Sequence, residues 1–141
     1  MKTIKNGNTV KWTHKGLKAG TYYKYYVIGY KTVNGKPVTI SRTANIHMPT
    51  KGKGLGYAKT LKLNKKKITI AKGKSAKIKA TVTYTNDNLR KHVPALRYLS
   101  SDTKIATVNS KGVIKGKKKG TCTIYCYTQN GLCKKVKVKV K

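Results

Sequence analysis

Apolar and polar residues alternate along most of this chain. The clearest run places Ala76, Ile78, Ala80 and Val82 on one side and lysines and threonines on the other. Successive side chains of a strand point to opposite faces, so this run predicts a β-strand with one buried and one wet face. Similar patterns recur at 61–63, 68–70, 96–101, 105–108, 113–114, 121–127 and 135–140. The pattern predicts an all-β fold of short strands.

Turn signals separate these runs. Asn34-Gly35 and Asn130-Gly131 each lie between two strand-like segments. Asn-Gly tolerates positive φ at both central positions of a tight turn, so both pairs predict β-hairpins. Residues 71–74 and 109–112 carry the same kind of glycine-containing turn signal.

The first fifty residues also read as strands. Thr9 to Thr13 alternates, and the run from Tyr22 to Tyr30 is apolar or aromatic on both faces. The second run therefore predicts a central strand or a strand with one sticky exposed face. Three glycines in 49–57 alternate with charged and aromatic residues, which predicts a solvated linker.

The charge balance is extreme. The chain holds 34 Lys and Arg against 2 acidic residues, for a formal net charge of +32. Self-repulsion at this density weakens the folded state but keeps the chain soluble. A polyanion partner would relieve the repulsion and release counterions, so wall teichoic acid, anionic membrane, sulfated or sialylated host glycans and nucleic acid are all candidates. The alternative is a solvated cationic surface facing an acidic neighbour in the same protein.

Several lysine clusters stand out along the chain. Lysines alternate with valines at the C-terminus, which predicts a ladder on one strand face with Cα atoms about 6.6 Å apart. Lysine favours diffuse attraction over bidentate recognition. The alternative is that these lysines guard a sheet edge against unwanted pairing. A further cluster occupies 65–67. The predicted polyanion-binding residues are Lys115, Lys117, Lys118, Lys119, Lys135, Lys137 and Lys139.

The N-terminal tyrosines are a second candidate surface. Tyr23 and Tyr25 are expected in a core. Tyr22, Tyr26 and Tyr30 could instead stack on sugars or bases, or be covered by further strands of the same domain. The sequence leaves both interpretations open.

Catalytic and metal-binding groups are scarce. The two carboxylates, Asp87 and Asp102, could supply an acid–base pair only if they met in space. His14, His47 and His92 are far apart and are expected to be isolated surface residues. No glycine run has phosphate- or dinucleotide-binding spacing. We therefore expect no enzyme activity, no metal and no cofactor.

The three cysteines have no metal-ligand spacing. Cys122 and Cys126 share the parity of Ile124 and are expected to face the core, while a Cys126–Cys133 bridge across the last hairpin is an alternative. No apolar run approaches about 18 residues, which predicts no membrane insertion. Residues 1–7 lack an apolar signal-peptide region, so we expect a piece of a longer protein or one without its export signal.

Residues 60–141 closely resemble a bacterial immunoglobulin-like domain of group 2. Tyr98 stands where that family usually has Trp, and its ring can still fill the core. The resemblance implies an immunoglobulin-like β-sandwich. The motifs that carry it, in family order, are Gly73-Lys74-Ser75, Tyr98-Leu99-Ser100-Ser101, Ile105-Ala106-Thr107-Val108, Lys111-Gly112-Val113-Ile114 and the run from Lys117 to Ile124.

Residues 8–50 resemble the C-terminal half of a fibronectin type III domain. The pattern Leu17-x-x-Gly20-Thr21-x-Tyr23 matches its tyrosine corner, in which the Tyr hydroxyl ties back to upstream backbone. The predicted division is therefore an incomplete fibronectin type III-like β unit at 1–50, a linker at 51–59 and the immunoglobulin-like domain at 60–141.

These resemblances imply a non-catalytic adhesion or display module of a bacterial cell surface or cell wall, located outside the cell as part of a longer secreted protein. The predicted partner is an anionic cell-wall or host glycan, with a host glycoprotein as a variant. Two alternatives remain: sequence-independent nucleic-acid binding by charge, and a pure structural spacer in a larger surface protein.

Overall fold

The computed structural model describes residues 2–43, 45–52, 55–85 and 96–141. In these four segments the regular elements are thirteen β-strands, and the predicted all-β fold is confirmed. Within the same segments, no helix is long and apolar enough to cross a membrane.

The N-terminal strands form one long hairpin. They are β1 (Tyr22–Tyr25), β2 (Ile28–Val33), β3 (Lys36–Arg42) and β4 (Ile46–Pro49). Strand β2 pairs with β3, and β1 pairs with β4, both antiparallel. The tip is Asn34-Gly35, with φ angles of 48° and 73°. The turn predicted from Asn-Gly is therefore confirmed, with positive φ at both central residues.

The predicted strand at Thr9 to Thr13 is wrong. None of the described residues before Tyr22 lies in a strand, and Val10 is 89% exposed. Alternation alone does not make a strand, because the backbone also needs a partner to complete its hydrogen bonds. Trp12 stacks on His14 instead, with ring centroids 5.0 Å apart.

The remaining strands build a sandwich. They are β5 (Ala58–Leu63), β6 (Lys67–Ile70), β7 (Ser75–Lys77), β8 (Ala80–Tyr84), β9 (Leu96–Ser100), β10 (Ala106–Val108), β11 (Val113–Gly116), β12 (Gly120–Thr128) and β13 (Cys133–Val140). One sheet has the order β6-β13-β12-β9, in which only β6 and β13 run parallel. Opposite it lie β10-β11-β7 and the β5-β8 pair.

The core lies between these sheets and follows the two-residue period of the sequence. Ile124, Val136 and Val138 from the four-stranded sheet are fully buried, as is Ile114 from the opposing sheet. Ile78, between β7 and β8, joins the same cluster. Burial of such aliphatic side chains contributes about 1.5–3 kcal/mol each, which is what holds this cationic chain together.

Tyr98, at the position where the family usually has Trp, is half-buried on β9. Its ring packs against Gly112, where an added Cβ would lie only 3.0 Å from the ring and 2.9 Å from the carbonyl oxygen of Ile78. Gly112 also has a φ of 74° in the turn after Asn109. The glycine of this motif is therefore required both by the turn and by the close approach of Tyr98.

All three thiols are free, and the predicted burial of Cys122 and Cys126 is confirmed. Cys133 is exposed. The alternative of a Cys126–Cys133 bridge is not realised, because β12 and β13 pair Cys126 with Lys134 and Tyr127 with Cys133. This register puts the two cysteines on opposite faces of the sheet.

The hairpin unit contacts the sandwich at the turn between β12 and β13. The His47 amide donates a hydrogen bond of 2.8 Å to the carbonyl of Gln129. The Arg97 guanidinium donates to the carbonyls of Asn45 and Thr128. Strand β4 is thereby tied to the end of the four-stranded sheet.

The hydrogen bond expected of a tyrosine corner is present in the hairpin unit. The Lys18 amide donates to the Tyr23 hydroxyl across 2.8 Å. This contact anchors the segment before β1. The assignment of this unit to the fibronectin type III family remains a prediction, as do the domain bounds given above.

Candidate cationic binding face

The outer surface of the four-stranded sheet collects most of the ladder lysines on one side of the molecule. Because Ile124, Val136 and Val138 point into the core, the residues that alternate with them point outward. We call this surface the cationic face. It comprises Lys67, Thr69, Arg97, Leu99, Thr121, Thr123, Tyr125, Tyr127, Lys135, Lys137 and Lys139.

The parallel pairing of β6 with β13 adds a fourth lysine to the ladder. Lys135, Lys137 and Lys139 are exposed along β13, and Lys67 lies beside Lys137 in the register. The Lys137 amide donates to the carbonyl of Lys66 across 2.9 Å, which fixes this alignment. Neighbouring strands are about 4.8 Å apart, whereas alternate residues of one strand are about 6.6 Å apart. The backbone of Lys67 is therefore closer to that of Lys137 than the backbones of Lys135 and Lys139 are.

The interpretation that the ladder guards a sheet edge is wrong for Lys137 and Lys139. Strand β13 is paired with β12 along its length and with β6 from Lys137 to Val140. A strand paired on both sides has no edge to protect. Lys137 and Lys139 therefore belong to the outer surface of the sheet and do not protect an edge.

Neutralising side chains are scarce around this face. Asp102 is the one side-chain carboxylate in the described part of the chain, and it follows β9. One of its oxygens accepts a hydrogen bond of 2.8 Å from the Lys104 amide, so Asp102 shapes a turn. The ladder charges therefore repel one another at close quarters, and an anionic ligand would relieve that repulsion.

The lysines of the loop before β12 have different surroundings. Lys119 lies near Lys139 and Lys141, and the three line a cleft of about 400 Å³ at the end of the cationic face. The backbone amides of Lys117 and Lys118 donate to the Ile105 carbonyl, and both side chains are exposed.

Lys115 does not join the ladder. It lies on β11 between buried Ile114 and Gly116, so its side chain leaves the outer surface of the opposing sheet. Parity correctly indicates that Lys115 points outward, but it does not say from which sheet. The predicted set of binding lysines is thus split by the sandwich.

Sequence reasoning missed an aromatic and apolar patch on the cationic face. The Tyr125 and Tyr127 rings are 6.1 Å apart and inclined by 20°. The Lys135 ammonium is 5.6 Å from the centroid of Tyr125. Leu99, opposite Tyr125 on β9, is 46% exposed. The available signal was the alternation of Tyr125 and Tyr127 with core-facing Ile124 and Cys126.

The N-terminal tyrosines are partly engaged within the chain. The Tyr22 hydroxyl donates to the Gly56 carbonyl across 2.7 Å. Tyr23 and Tyr25 are half-buried and meet the ring of His14, whose Nδ1 is 3.0 Å from the Tyr25 hydroxyl. His14 is exposed, as expected from the sequence, but it is not isolated, because it belongs to an aromatic group.

Tyr26 and Tyr30 remain open to solvent. They are 46% and 45% exposed, and the Arg42 guanidinium lies 4.3 Å from the centre of the Tyr26 ring. Ile40, on the neighbouring strand, is 64% exposed. This apolar surface matches the expectation of a sticky strand face.

The described residues contain no cluster of three or more His, Cys, Asp or Glu that could hold a metal ion. Asp87 and His92 lie outside the described residues. Burial raises the pKa of the Cys122 and Cys126 thiols, which keeps both in the protonated, weakly nucleophilic form.

Comparison with known proteins places this fold in a family. Residues 57–140, more than half of the chain, match the family model of the bacterial Ig-like domain (group 2). The kappa-carrageenase of Pseudoalteromonas carrageenovora is 39% identical over 71 residues, which are 50% of this chain and 17% of that enzyme.

Solved structures are similar to this chain. The S-layer protein SbsC aligns with 91% of this chain at a TM-score of 0.51 and 19% identity, over 21% of its own length. An intimin mutant from EHEC O157:H7 aligns with 59% of this chain and 47% of its own, with a TM-score of 0.46 and 18% identity. This chain thus spans less than half the length of each of these proteins. Group 2 Ig-like domains are typical of bacterial surface proteins and are not catalytic in themselves. By its sequence and its fold, this chain belongs to the family of bacterial Ig-like domains of group 2.

Proposed function

We propose that this chain is a non-catalytic module of a bacterial surface protein and that its cationic face binds anionic polymers outside the cell. One observation carries the proposal: Lys67 lies beside Lys137 in a patch with Lys135 and Lys139. A polymer that neutralises these charges releases counterions and relieves their repulsion, and both effects favour binding.

The names of the relatives support a surface location. SbsC is a surface layer protein, and an intimin fragment has been solved with the intimin-binding domain of the translocated intimin receptor. The match to kappa-carrageenase covers a part of an enzyme named for an anionic polysaccharide. A cationic module within surface proteins of this kind is suited to binding a charged polymer close to the cell surface.

The test compares two triple variants of the whole chain that lose equal charge. In the first, Lys135, Lys137 and Lys139 become Gln. In the second, Lys62, Lys77 and Lys115 become Gln on the outer surfaces of the opposing strands. Retention on immobilised kappa-carrageenan and on wall teichoic acid is measured from low to physiological salt.

The face variant is expected to lose about tenfold or more in affinity and to show a shallower salt dependence, because fewer counterions are released. The opposing-surface variant should lose much less. Equal losses would mean that only net charge matters and would overturn the proposal. If the unaltered chain is not retained at physiological salt, the chain is a spacer. Tighter binding to duplex DNA than to both glycopolymers at equal salt would favour the nucleic-acid alternative.

A further inference from the structure

The cationic face has two chemically different halves. One half is the lysine patch around Lys137, and the other consists of Tyr125, Tyr127 and Leu99. Lys135 lies at the boundary, directly across the pairing from Tyr125 and 5.6 Å from its ring. The ammonium lies over the ring, so positive charge and aromatic surface adjoin each other on rigid paired strands.

This combination matches a charged sugar more closely than a bare chain of charges. The C–H groups on one side of a pyranose ring are apolar and slightly positive, and an aromatic face is negative, so the two surfaces attract. Exposed Leu99 extends the apolar surface by one strand. A sulfate or carboxylate on the same sugar would then reach the ammonium of Lys135.

We propose that Tyr125 is a stacking subsite for a sugar ring and that the ligand of the cationic face is an anionic polysaccharide. This inference rests on the proposed function. It narrows the proposed ligand from anionic polymers in general to anionic polysaccharides, because polyphosphates carry charge but no sugar ring. Lys135 provides the contact to the anionic substituent, and Lys137, Lys139 and Lys67 hold the charges that follow along the polymer.

The same face is less well suited to nucleic acid. Arginine is the side chain that grips phosphate with two parallel hydrogen bonds, and the guanidinium of Arg97 donates to the carbonyls of Asn45 and Thr128. Proteins that bind single strands also use a positively charged groove that tracks the backbone. The cationic face is the outside of a sheet.

The experiment uses the whole chain with three polyanions: kappa-carrageenan oligosaccharides, inorganic polyphosphate and single-stranded oligo(dT). The variants are Tyr125→Thr, which keeps a residue suited to a strand, and Tyr125→Phe, which keeps the ring. Tyr57→Thr is the matched control, since Tyr57 is 43% exposed and precedes β5. Thermal unfolding verifies that every variant is folded.

Tyr125→Thr is expected to weaken the carrageenan complex about tenfold, in line with the cost of losing one stacked ring, while Tyr125→Phe and Tyr57→Thr change little. Polyphosphate binding should be unaffected by all three. Equal carrageenan affinity for Tyr125→Thr and the unaltered chain would overturn the stacking subsite and leave the charge-based proposal standing. Failure of all three polymers to bind would overturn the charge-based proposal as well. A larger effect of Tyr125→Thr on oligo(dT) than on carrageenan would identify the subsite as a base-stacking site and overturn the inference.

Discussion

Lys137 lies beside Lys67 on the outer face of the four-stranded sheet, in the parallel register between β13 and β6. Both side chains are exposed. Like charges directly across a strand pair destabilise a sheet. The pair therefore lowers the stability of the sandwich and at the same time concentrates charge for a ligand.

Lys67→Glu should reverse both effects. The new carboxylate would face Lys137 and should raise the free energy of unfolding by roughly 0.5 kcal/mol, the usual scale of a surface ion pair. It should also weaken binding to kappa-carrageenan. Urea unfolding at low salt measures the first effect, and retention measures the second.

Lys62→Glu is the control for this prediction. It changes the net charge equally, but its partner across the β5–β8 pair is Thr81. Any stabilisation of Lys62→Glu would come from the lower overall repulsion alone. Equal stabilisation of the two variants would show that the contact between Lys67 and Lys137 has no energetic significance.

The parts of the fold that the sequence predicted correctly depend on residues close together in the chain. The Asn34-Gly35 turn needs two residues that tolerate positive φ, and the burial of Cys122 and Cys126 follows from their parity with Ile124. Both features depend on neighbours a few positions away. The same holds for the two-residue period that defines the core.

Those local signals do not predict which distant strands pair with each other. Nothing near Lys67 indicates that it will meet Lys137, and nothing near Lys115 indicates that it belongs to the opposing sheet. Thr9 to Thr13 has the pattern of a strand but lies in none. The residues of the cationic face could therefore be identified only from the order of the strands in the sheet, and the local patterns of a single sequence do not give that order.

Thiol labelling should separate Cys133 from the other two cysteines. Cys133 is exposed, whereas Cys122 and Cys126 are buried and burial raises the pKa of both thiols. A maleimide should modify Cys133 within minutes, and the other two only after unfolding. Peptide mass spectrometry with and without urea measures this. Rapid modification of Cys126 in the native protein would contradict the packing of β12 against the core.

Tyr98 should make the sandwich sensitive to alkali. Burial, with a further effect of nearby Cys126, raises the pKa of Tyr98 from 10.0 to about 12. Above pH 10 the unfolded chain therefore loses this proton before the folded one does. The stability contributed by neutral Tyr98 is fully present below pH 10 and is lost as the pH rises through about 12.

Tyr98→Phe isolates this effect from the lysines, which lose their charge near pH 10.4 and so reduce self-repulsion over the same range. Urea unfolding from about pH 9 to about pH 12 should show the unaltered protein losing stability relative to Tyr98→Phe. Parallel profiles for the two proteins would contradict the burial of the Tyr98 hydroxyl.

Arg97 should act as the joint between the hairpin unit and the sandwich. Its guanidinium bridges the carbonyls of Asn45 and Thr128, and burial lowers its pKa. Arg97→Ala removes this bridge, so the neighbouring hydrogen bond from the His47 amide to Gln129 should open more often. Hydrogen exchange at His47 should accelerate about tenfold, the equivalent of roughly one or two hydrogen bonds. Lys36→Ala removes a cation beside the tip of the hairpin unit, away from this contact, and should leave that rate unchanged. An unchanged His47 rate in Arg97→Ala would mean that backbone pairing alone holds the two units together.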